Sequence, residues 1–219
     1  MLDQLREEVC AVAKRAQADG LCKHKSGNFS ALDADAGLVA ITPSGVDRDL
    51  LAPKHIVVMR LSDGTVLECP EGLRPTSEYL MHLAIYRTRP DARAIVHTHS
   101  LYATSFAIVG RPVPAVIYEM FTLGTSQARF PVAPYARPGS PELADSVVDA
   151  CRESDCFLLE RHGAVALDET DVAGAYLKAC YVEEISHLYF NALQIGGGAE
   201  PATFSAEELA AWHHPDDKA

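Results

Sequence analysis

Two histidines, His97 and His99, stand one residue apart at the end of the apolar run in IVHTHSLYAT. The segment ARAIVHTH predicts a buried β-strand, in which the side chains of residues i and i+2 point to the same face of the sheet. Two imidazoles at this spacing can converge on one metal ion. Core histidines would fit the pattern equally well, so a metal site requires a third ligand elsewhere in the chain.

The best third ligand is His162, in the segment CFLLERHGAVAL at 156–167. This pattern predicts two short strands that meet at His162 and Gly163, where glycine lets the backbone bend into a cleft. Three histidines leave an open coordination position, which is typical of a catalytic zinc site and not of a closed structural one. The other histidines show no such spacing, and we expect them to be structural or exposed: His24, His55, His82, His187, His213 and His214.

Three segments of the first 82 residues are rich in Ser, Thr, Gly and Asn, namely KSGNFS at 25–30, ITPSGVD at 41–47 and RPTSEYLMH at 74–82. Turns of this composition and the N–H groups at a helix start both favour an anion. One such segment is usually an ordinary turn or cap, but three beside a metal site predict a phosphate pocket. The donors would come from Asn28, Ser30, Ser44, Gly45, Thr76 and Ser77.

Two further residues are candidates for proton transfer. Glu78 lies in the first turn of a helix predicted from Thr76 or Ser77 to about Thr88. It would act as an acid or base beside the metal, whereas in isolation it would only complement the helix dipole. Tyr118, in VIYEMF, is either a proton donor or a half-buried strand aromatic.

The elements that must position these residues mix strands and helices. Hydrophobic spacing and turn signals predict strands at 37–43, 55–61, 65–69, 92–99, 114–120 and 129–135, besides those at 156–167. Helices are predicted over 2–19, from Ser140, over 172–193 and after the capping box SAEE at 205–208. This mixture predicts a layered α/β domain whose sheet is not purely parallel.

Composition excludes several classes of partner. The chain of 219 residues is 48% hydrophobic, and we expect one domain over 1–219. Its net charge of −11 argues against nucleic-acid or anionic-membrane binding. Six cysteines without a CxxC pair favour reduced thiols. The charged start MLDQLREE and the lack of a long apolar stretch lead us to expect a cytoplasmic protein without a membrane segment.

Six motifs in register, SGNFS, ITPSGV, RPTSE, HTHS, PVAPYARPGSPELA and RHGAVAL, resemble the class II aldolase/adducin family from about residue 5 to 195. The likeness is strongest to its L-fuculose-1-phosphate aldolase branch. The resemblance implies an α/β fold, a three-layer α/β/α sandwich with a mixed, mostly antiparallel central sheet. It also implies a homotetramer with active sites between neighbouring subunits.

The resemblance assigns roles by position. It implies that Zn²⁺ is held by His97, His99, His162 and Glu78 and that Glu78 is also the catalytic base. Tyr118 would protonate the aldehyde oxygen, serving the neighbouring subunit's site. The substrate phosphate would be bound by Asn28, Ser44, Gly45, Thr76 and Ser77.

The implied reaction is cleavage of a ketose 1-phosphate, similar to L-fuculose 1-phosphate, into dihydroxyacetone phosphate and an aldehyde through a metal-stabilised enediolate. Decarboxylases, dehydratases and 4-epimerases of related sugar phosphates share the scaffold, although 4-epimerases have Asp where this chain has Glu78. A non-enzymatic adducin-like module is disfavoured because all three histidines are present. The tail AAWHHPDDKA and Pro138 depart from the fuculose enzymes on the aldehyde side, so the aldehyde stays open, and another divalent metal could replace zinc.

Overall fold

One large sheet organises the protein, whose computed structural model describes residues 1–212. Its strands are β1 (Asn28–Asp33), β2 (Leu38–Ile41), β3 (Val57–Arg60), β4 (Val66–Glu68), β5 (Ala94–Thr98), β8 (Val132–Ala133), β9 (Cys156–Leu159) and β10 (Gly163–Asp168). The order across the sheet is β4-β3-β2-β1-β5-β10-β9-β8. Neighbours pair antiparallel except β8 and β9, which are parallel. A separate small ribbon joins β6 (Val113–Pro114) and β7 (Arg129–Phe130).

Helices cover both faces of this sheet. They are α1 (Asp3–Ala18), α2 (Tyr79–Thr88), α3 (Leu101–Ile108), α4 (Pro141–Ser146), α5 (Val148–Glu153), α6 (Val172–Ile195) and α7 (Ala206–Ala210). Helices α1, α3 and α6 pack in one hydrophobic core, and α2, α4 and α5 pack in another. Strand β5 contributes side chains to both cores: Ala94 and Val96 pack in the first core, and Ile95 packs in the second. The predicted three-layer sandwich with a mostly antiparallel sheet is confirmed.

Local sequence signals place most helix starts correctly. The Ser140 side chain accepts a hydrogen bond from the Leu143 N–H, and Ser205 accepts one from the Glu208 N–H, as N-cap residues do. None of the described helices is long and apolar enough to span a membrane.

The structure corrects three local predictions. The segment 25–30 is not all loop, because β1 begins at Asn28 and buries Phe29 and Ala31 in the core. The strand predicted over 114–120 is wrong: only Val113–Pro114 pairs, and Tyr118–Leu123 forms a 3₁₀ helix. Helix α3 had no sequence signal, since its residues LYATSFAI are apolar on nearly every side.

A chain of charged side chains ties the two helical layers together. The Asp155 carboxylate, just before β9, forms two ion pairs. Its Oδ1 lies 2.8 Å from the guanidinium of Arg89 at the end of α2, and its Oδ2 lies 2.8 Å from Lys178 Nζ of α6. Lys178 also lies 3.0 Å from Asp168 at the end of β10. The Lys178 side chain is only 14% exposed. It therefore neutralises two carboxylates that have little access to water.

We expect Lys178→Met to lower the free energy of unfolding by about 2–3 kcal/mol, because Asp155 and Asp168 lose their shared cation. Burial raises the pKa of the Asp168 carboxyl, but hydrogen bonds from Thr170 and Lys178 outweigh burial and hold it below its usual value. The stability gained from this depressed pKa is present at neutral pH and is lost as the pH falls through it. Urea unfolding at pH 7 and at acid pH measures the difference, which should shrink in acid. The matched control is Lys14→Met at an exposed position of α1, and an equal loss in both variants would contradict the prediction.

Candidate metal centre and phosphate pocket

Three histidines from two parts of the sheet meet at one point. His97 lies on β5, His99 directly follows that strand, and His162 sits in the turn between β9 and β10. Their ring centroids are 4.8–5.0 Å apart, and one ring nitrogen of each lies within 4.8 Å of the others. The structure thus brings together all three histidines that the sequence predicts as ligands.

The hydrogen bonds of His97 show which of its nitrogens faces the cluster. Its Nδ1–H donates to the backbone oxygen of Ala164 at 2.9 Å, which leaves Nε2 with a lone pair. Nε2 lies 3.0 Å from His99 Nε2 and 3.3 Å from Glu78 Oε2. A divalent cation between these atoms would bind the two imidazole nitrogens and the carboxylate oxygen together. A backbone acceptor behind a ligand histidine is the usual orienting contact at metal sites.

Glu78 immediately precedes α2 and is 5% exposed. Its carboxylate makes no capping hydrogen bond to the helix and lies against Asn28 and the histidines instead. Oε2 accepts a hydrogen bond from Asn28 Nδ2 at 2.7 Å, and Oε1 lies 3.1 Å from His162 Nε2 without an aligned hydrogen bond. The buried, unpaired Oε1 is another atom that a metal ion would satisfy.

The charge states suit a metal site. Burial raises the pKa of the Glu78 carboxyl, but the rings of His97 and His162 outweigh burial and hold it far below its usual range. Burial, followed by the neighbouring histidines, lowers the pKa of His99 to about 3. At neutral pH the site therefore offers a carboxylate and a neutral imidazole, the forms that bind a divalent cation. Three imidazoles and one carboxylate are a donor set that fits zinc.

The predicted phosphate residues line a cleft of about 270 Å³ beside this cluster. Its wall is formed by Lys25, Ser26, Gly27, Asn28, Pro43, Ser44, Gly45, Thr76, Ser77, Glu78, His99, Pro138 and His162. Two backbone donors are already used, since the Ser44 N–H bonds to Arg74 O and the Thr76 N–H to Thr42 O. Other polar groups of the cleft that an anion could contact include its hydroxyls, the Asn28 amide and the exposed Lys25, which the sequence did not single out.

Two predicted site residues lie elsewhere. Ser30 is fully buried and bonds to His82 and Tyr86, so the prediction that it offers a donor to an anion is wrong. Tyr118 begins the 3₁₀ helix, is 53% exposed and does not line the cleft of its own chain. Near it, Phe121 stacks on Trp212 with centroids 3.8 Å apart.

One residue near the site escaped sequence analysis. His82 is neither exposed nor an isolated core residue, because its Nε2 bonds to Asn28 Oδ1 at 2.5 Å. Glu78 and His82 are spaced i and i+4 on one helix face, and Asn28 and Ser30 are spaced i and i+2 on one strand face. These spacings were a usable signal. His213 and His214 lie outside the described residues.

A family model described as Class II Aldolase and Adducin N-terminal domain matches residues 7–190. The chain belongs to the class II aldolase/adducin family. The resemblance of its six motifs is thereby confirmed. Several of its relatives within this family are named as aldolases.

The relatives match along most of their length. The 5-deoxy-D-ribulose 1-phosphate aldolase of Bacillus thuringiensis serovar kurstaki is 35% identical over 209 residues, which cover 95% of this chain and 93% of that protein. The L-fuculose phosphate aldolase of Escherichia coli K12 is 36% identical over 192 residues, 87% of this chain and 84% of that protein. A solved structure of L-fuculose 1-phosphate aldolase matches with a TM-score of 0.87 at 34% identity, covering 94% of this chain and 93% of the other.

Substitution of Gly163 tests whether the β9–β10 turn sets the positions of the three histidines. A Cβ added there would collide with the Thr98 oxygen and come within 3.1 Å of the rings of both His97 and His99. We expect Gly163→Ala to weaken Zn²⁺ binding at least about tenfold, because the β9–β10 turn must move away from β5. Titration against a chromophoric chelator measures the affinity.

The control is Gly37→Ala in the β1–β2 turn, where a Cβ meets nothing within 4 Å but φ is +64°. That variant should lose about 1 kcal/mol of stability from backbone strain and keep its metal affinity. Unchanged zinc binding in a folded Gly163→Ala protein would show that the turn does not set the site.

Proposed function

We propose that the protein is a zinc-dependent class II aldolase that cleaves a ketose 1-phosphate into dihydroxyacetone phosphate and an aldehyde. The observation that carries the proposal is the buried Glu78 carboxyl group between His97 and His162, beside a cleft lined by hydroxyl groups. Aldolases among the chain's relatives support the same reaction class. Six unpaired cysteines support a reducing, cytoplasmic location.

His97, His99 and His162, with Glu78 in the resting site, would hold the metal. When bound, a divalent ion supplies a Lewis acid that polarises the oxygen atoms next to the scissile bond. Cleavage releases one proton from the C4 hydroxyl and consumes one at the carbon that becomes C3 of dihydroxyacetone phosphate. Glu78 would deliver the proton to that carbon, and in the reverse direction its carboxylate would remove it.

The far end of the substrate is held by the cleft. Four residues of the cleft have hydroxyl or backbone groups that can bind a phosphate: Ser44, Gly45, Thr76 and Ser77. Asn28 Nδ2 has two hydrogens, so one can donate to Glu78 while the other faces the cleft. Anchoring the phosphate fixes the distance from that end to the reacting carbon, which holds the substrate over Glu78.

The aldehyde side requires a second subunit. Tyr118 is exposed and lies outside its own chain's cleft, so we propose that it reaches the active site of a neighbouring subunit in a homotetramer. There its hydroxyl would take on the proton that leaves the C4 hydroxyl when the carbon–carbon bond breaks, and would return it to the aldehyde oxygen in the reverse direction. The relatives' names place 5-deoxyribulose 1-phosphate and L-fuculose 1-phosphate first among the sugars to test.

The first experiment measures dihydroxyacetone phosphate released from both sugars, from other ketose 1-phosphates and from their unphosphorylated forms. We expect release from at least one phosphorylated sugar, loss of release with a chelator and recovery with Zn²⁺. Glu78→Gln should reduce the rate about 10³-fold because the base is gone, whereas Glu7→Gln on an exposed face of α1 should not change it. No release by zinc-loaded protein would refute the aldolase and turn attention to decarboxylase or dehydratase substrates.

Mixed subunits test the shared site. Glu78→Gln and Tyr118→Phe proteins, each nearly inactive alone, are dissociated, mixed in equal amounts and reassembled. If Tyr118 serves a neighbouring site, about a quarter of the sites regain both groups by random assembly, and activity rises accordingly. Activity that stays at the level of the separate variants would mean that Tyr118 acts in its own subunit or not at all.

A further inference from the structure

A buried line of hydrogen bonds runs from Glu78 into the interior of the protein. Asn28 Nδ2 lies 2.7 Å from Glu78 Oε2, and His82 Nε2 lies 2.5 Å from Asn28 Oδ1. Ser30 Oγ then lies 2.7 Å from His82 Nδ1 and 2.8 Å from the Tyr86 hydroxyl. His82 and Ser30 are completely buried, so water does not compete for the bonds that these two residues make.

Each bond in this line can run in one direction only. The Asn28 NH₂ group lies on Glu78 Oε2 and donates to it, and the Asn28 Oδ1, which can only accept, lies on His82. His82 must then carry its proton on Nε2, which leaves Nδ1 to accept from the Ser30 hydroxyl. Tyr86 completes the line by donating to Ser30. The donors therefore all point from Tyr86 towards Glu78.

His82 is the group that prevents the Asn28 amide from turning over. A flipped amide would set Oδ1 against Glu78 Oε2, two acceptors in contact, and NH₂ against the Nε2–H of His82. Without a donor at position 82, only the bond to Glu78 would oppose rotation of the amide. Asn28 belongs to β1 and His82 to α2, so this contact also fixes the helix that carries Glu78 against the strand.

We propose that His82 is a positioning residue, which holds the Asn28 amide with its NH₂ group on Glu78 and thereby keeps that carboxylate aimed at the substrate carbon. The kinetic part of this proposal rests on the aldolase function proposed above. Burial lowers the pKa of His82 to about 3, in keeping with a neutral ring that has a single proton, on Nε2.

The direction of the line is tested first, on the unmodified protein. ¹⁵N spectra of protein labelled in the histidine rings at pH 7 should show His82 as the neutral tautomer protonated on Nε2, its signals identified by their loss in His82→Gln. A ring protonated on Nδ1, or on both nitrogens, would overturn the assignment. This measurement needs no substrate, so it decides the donor direction even if no sugar is cleaved.

Kinetics then separate positioning from mere stability. His82→Phe keeps an aromatic ring at this position but removes the donor to Asn28. We expect kcat to fall about 10- to 100-fold. KM should stay within about twofold, because the phosphate end of the substrate still binds. His82→Gln can donate to Asn28 Oδ1 through its side-chain amide and should recover most of that loss. Tyr189→Phe removes a hydroxyl that bonds to Arg111 and Glu200 outside the site. It is the control for the loss of tertiary hydrogen bonds and should leave kcat unchanged.

Two kinetic outcomes would overturn the proposal. One is a folded His82→Phe enzyme whose kcat stays within about threefold of the wild type. The other is a folded His82→Gln enzyme whose kcat falls about 10- to 100-fold, as expected for His82→Phe. This second outcome can be measured even if His82→Phe fails to fold. If the wild type cleaves no sugar, the proposed function fails, while the tautomer still reports on the hydrogen-bond line.

Discussion

The charge of Glu78 is the constraint around which the site is built. Removing a carboxylate from water costs several kcal/mol unless the protein supplies donors or cations in return. The groups around it come from separate parts of the chain: the Asn28 donor on β1 and the ring nitrogens of His97 on β5 and of His162 between β9 and β10, where a metal ion would supply the positive charge. Each of them is more than fifteen residues from Glu78 in sequence. The site can therefore form only when the whole sheet has formed and α2 has docked on it.

Register in the centre of the sheet brings these groups together. Asn28 pairs with His97 across β1 and β5, and Val165 pairs with His97 across β5 and β10. Two glycines permit the close approach that follows. Gly27, at φ +76°, leaves no room for a Cβ against the His97 carbonyl, and Gly163 leaves none against Thr98 and the histidine rings. A shift of one residue in either pairing would turn His97 to the opposite face.

The groups proposed to bind the metal and the phosphate are buried or line the cleft, whereas those proposed for the aldehyde end are exposed. The metal and phosphate groups of one chain converge on a single cleft, where packing and hydrogen bonds hold them. Tyr118 and the stacked pair of Phe121 and Trp212 lie apart from it near the surface. Relatives named for different sugar phosphates share this scaffold. That pattern is expected when the phosphate end is bound by a rigid centre and the variable aldehyde end by surface segments.

The sequence by itself determined the local features. The i, i+2 spacing of His97 and His99, the hairpin ending at His162 and the caps at Ser140 and Ser205 depend on backbone geometry within a few residues, so they could be predicted. Tertiary structure alone decided that Ser30 turns inward, that Asn28 donates to Glu78 and that His82 stands behind both. Those contacts join residues at least fifty positions apart. Short-range periodicity says which face a side chain takes, but only the packing of α2 against β1 determines which donor meets which acceptor.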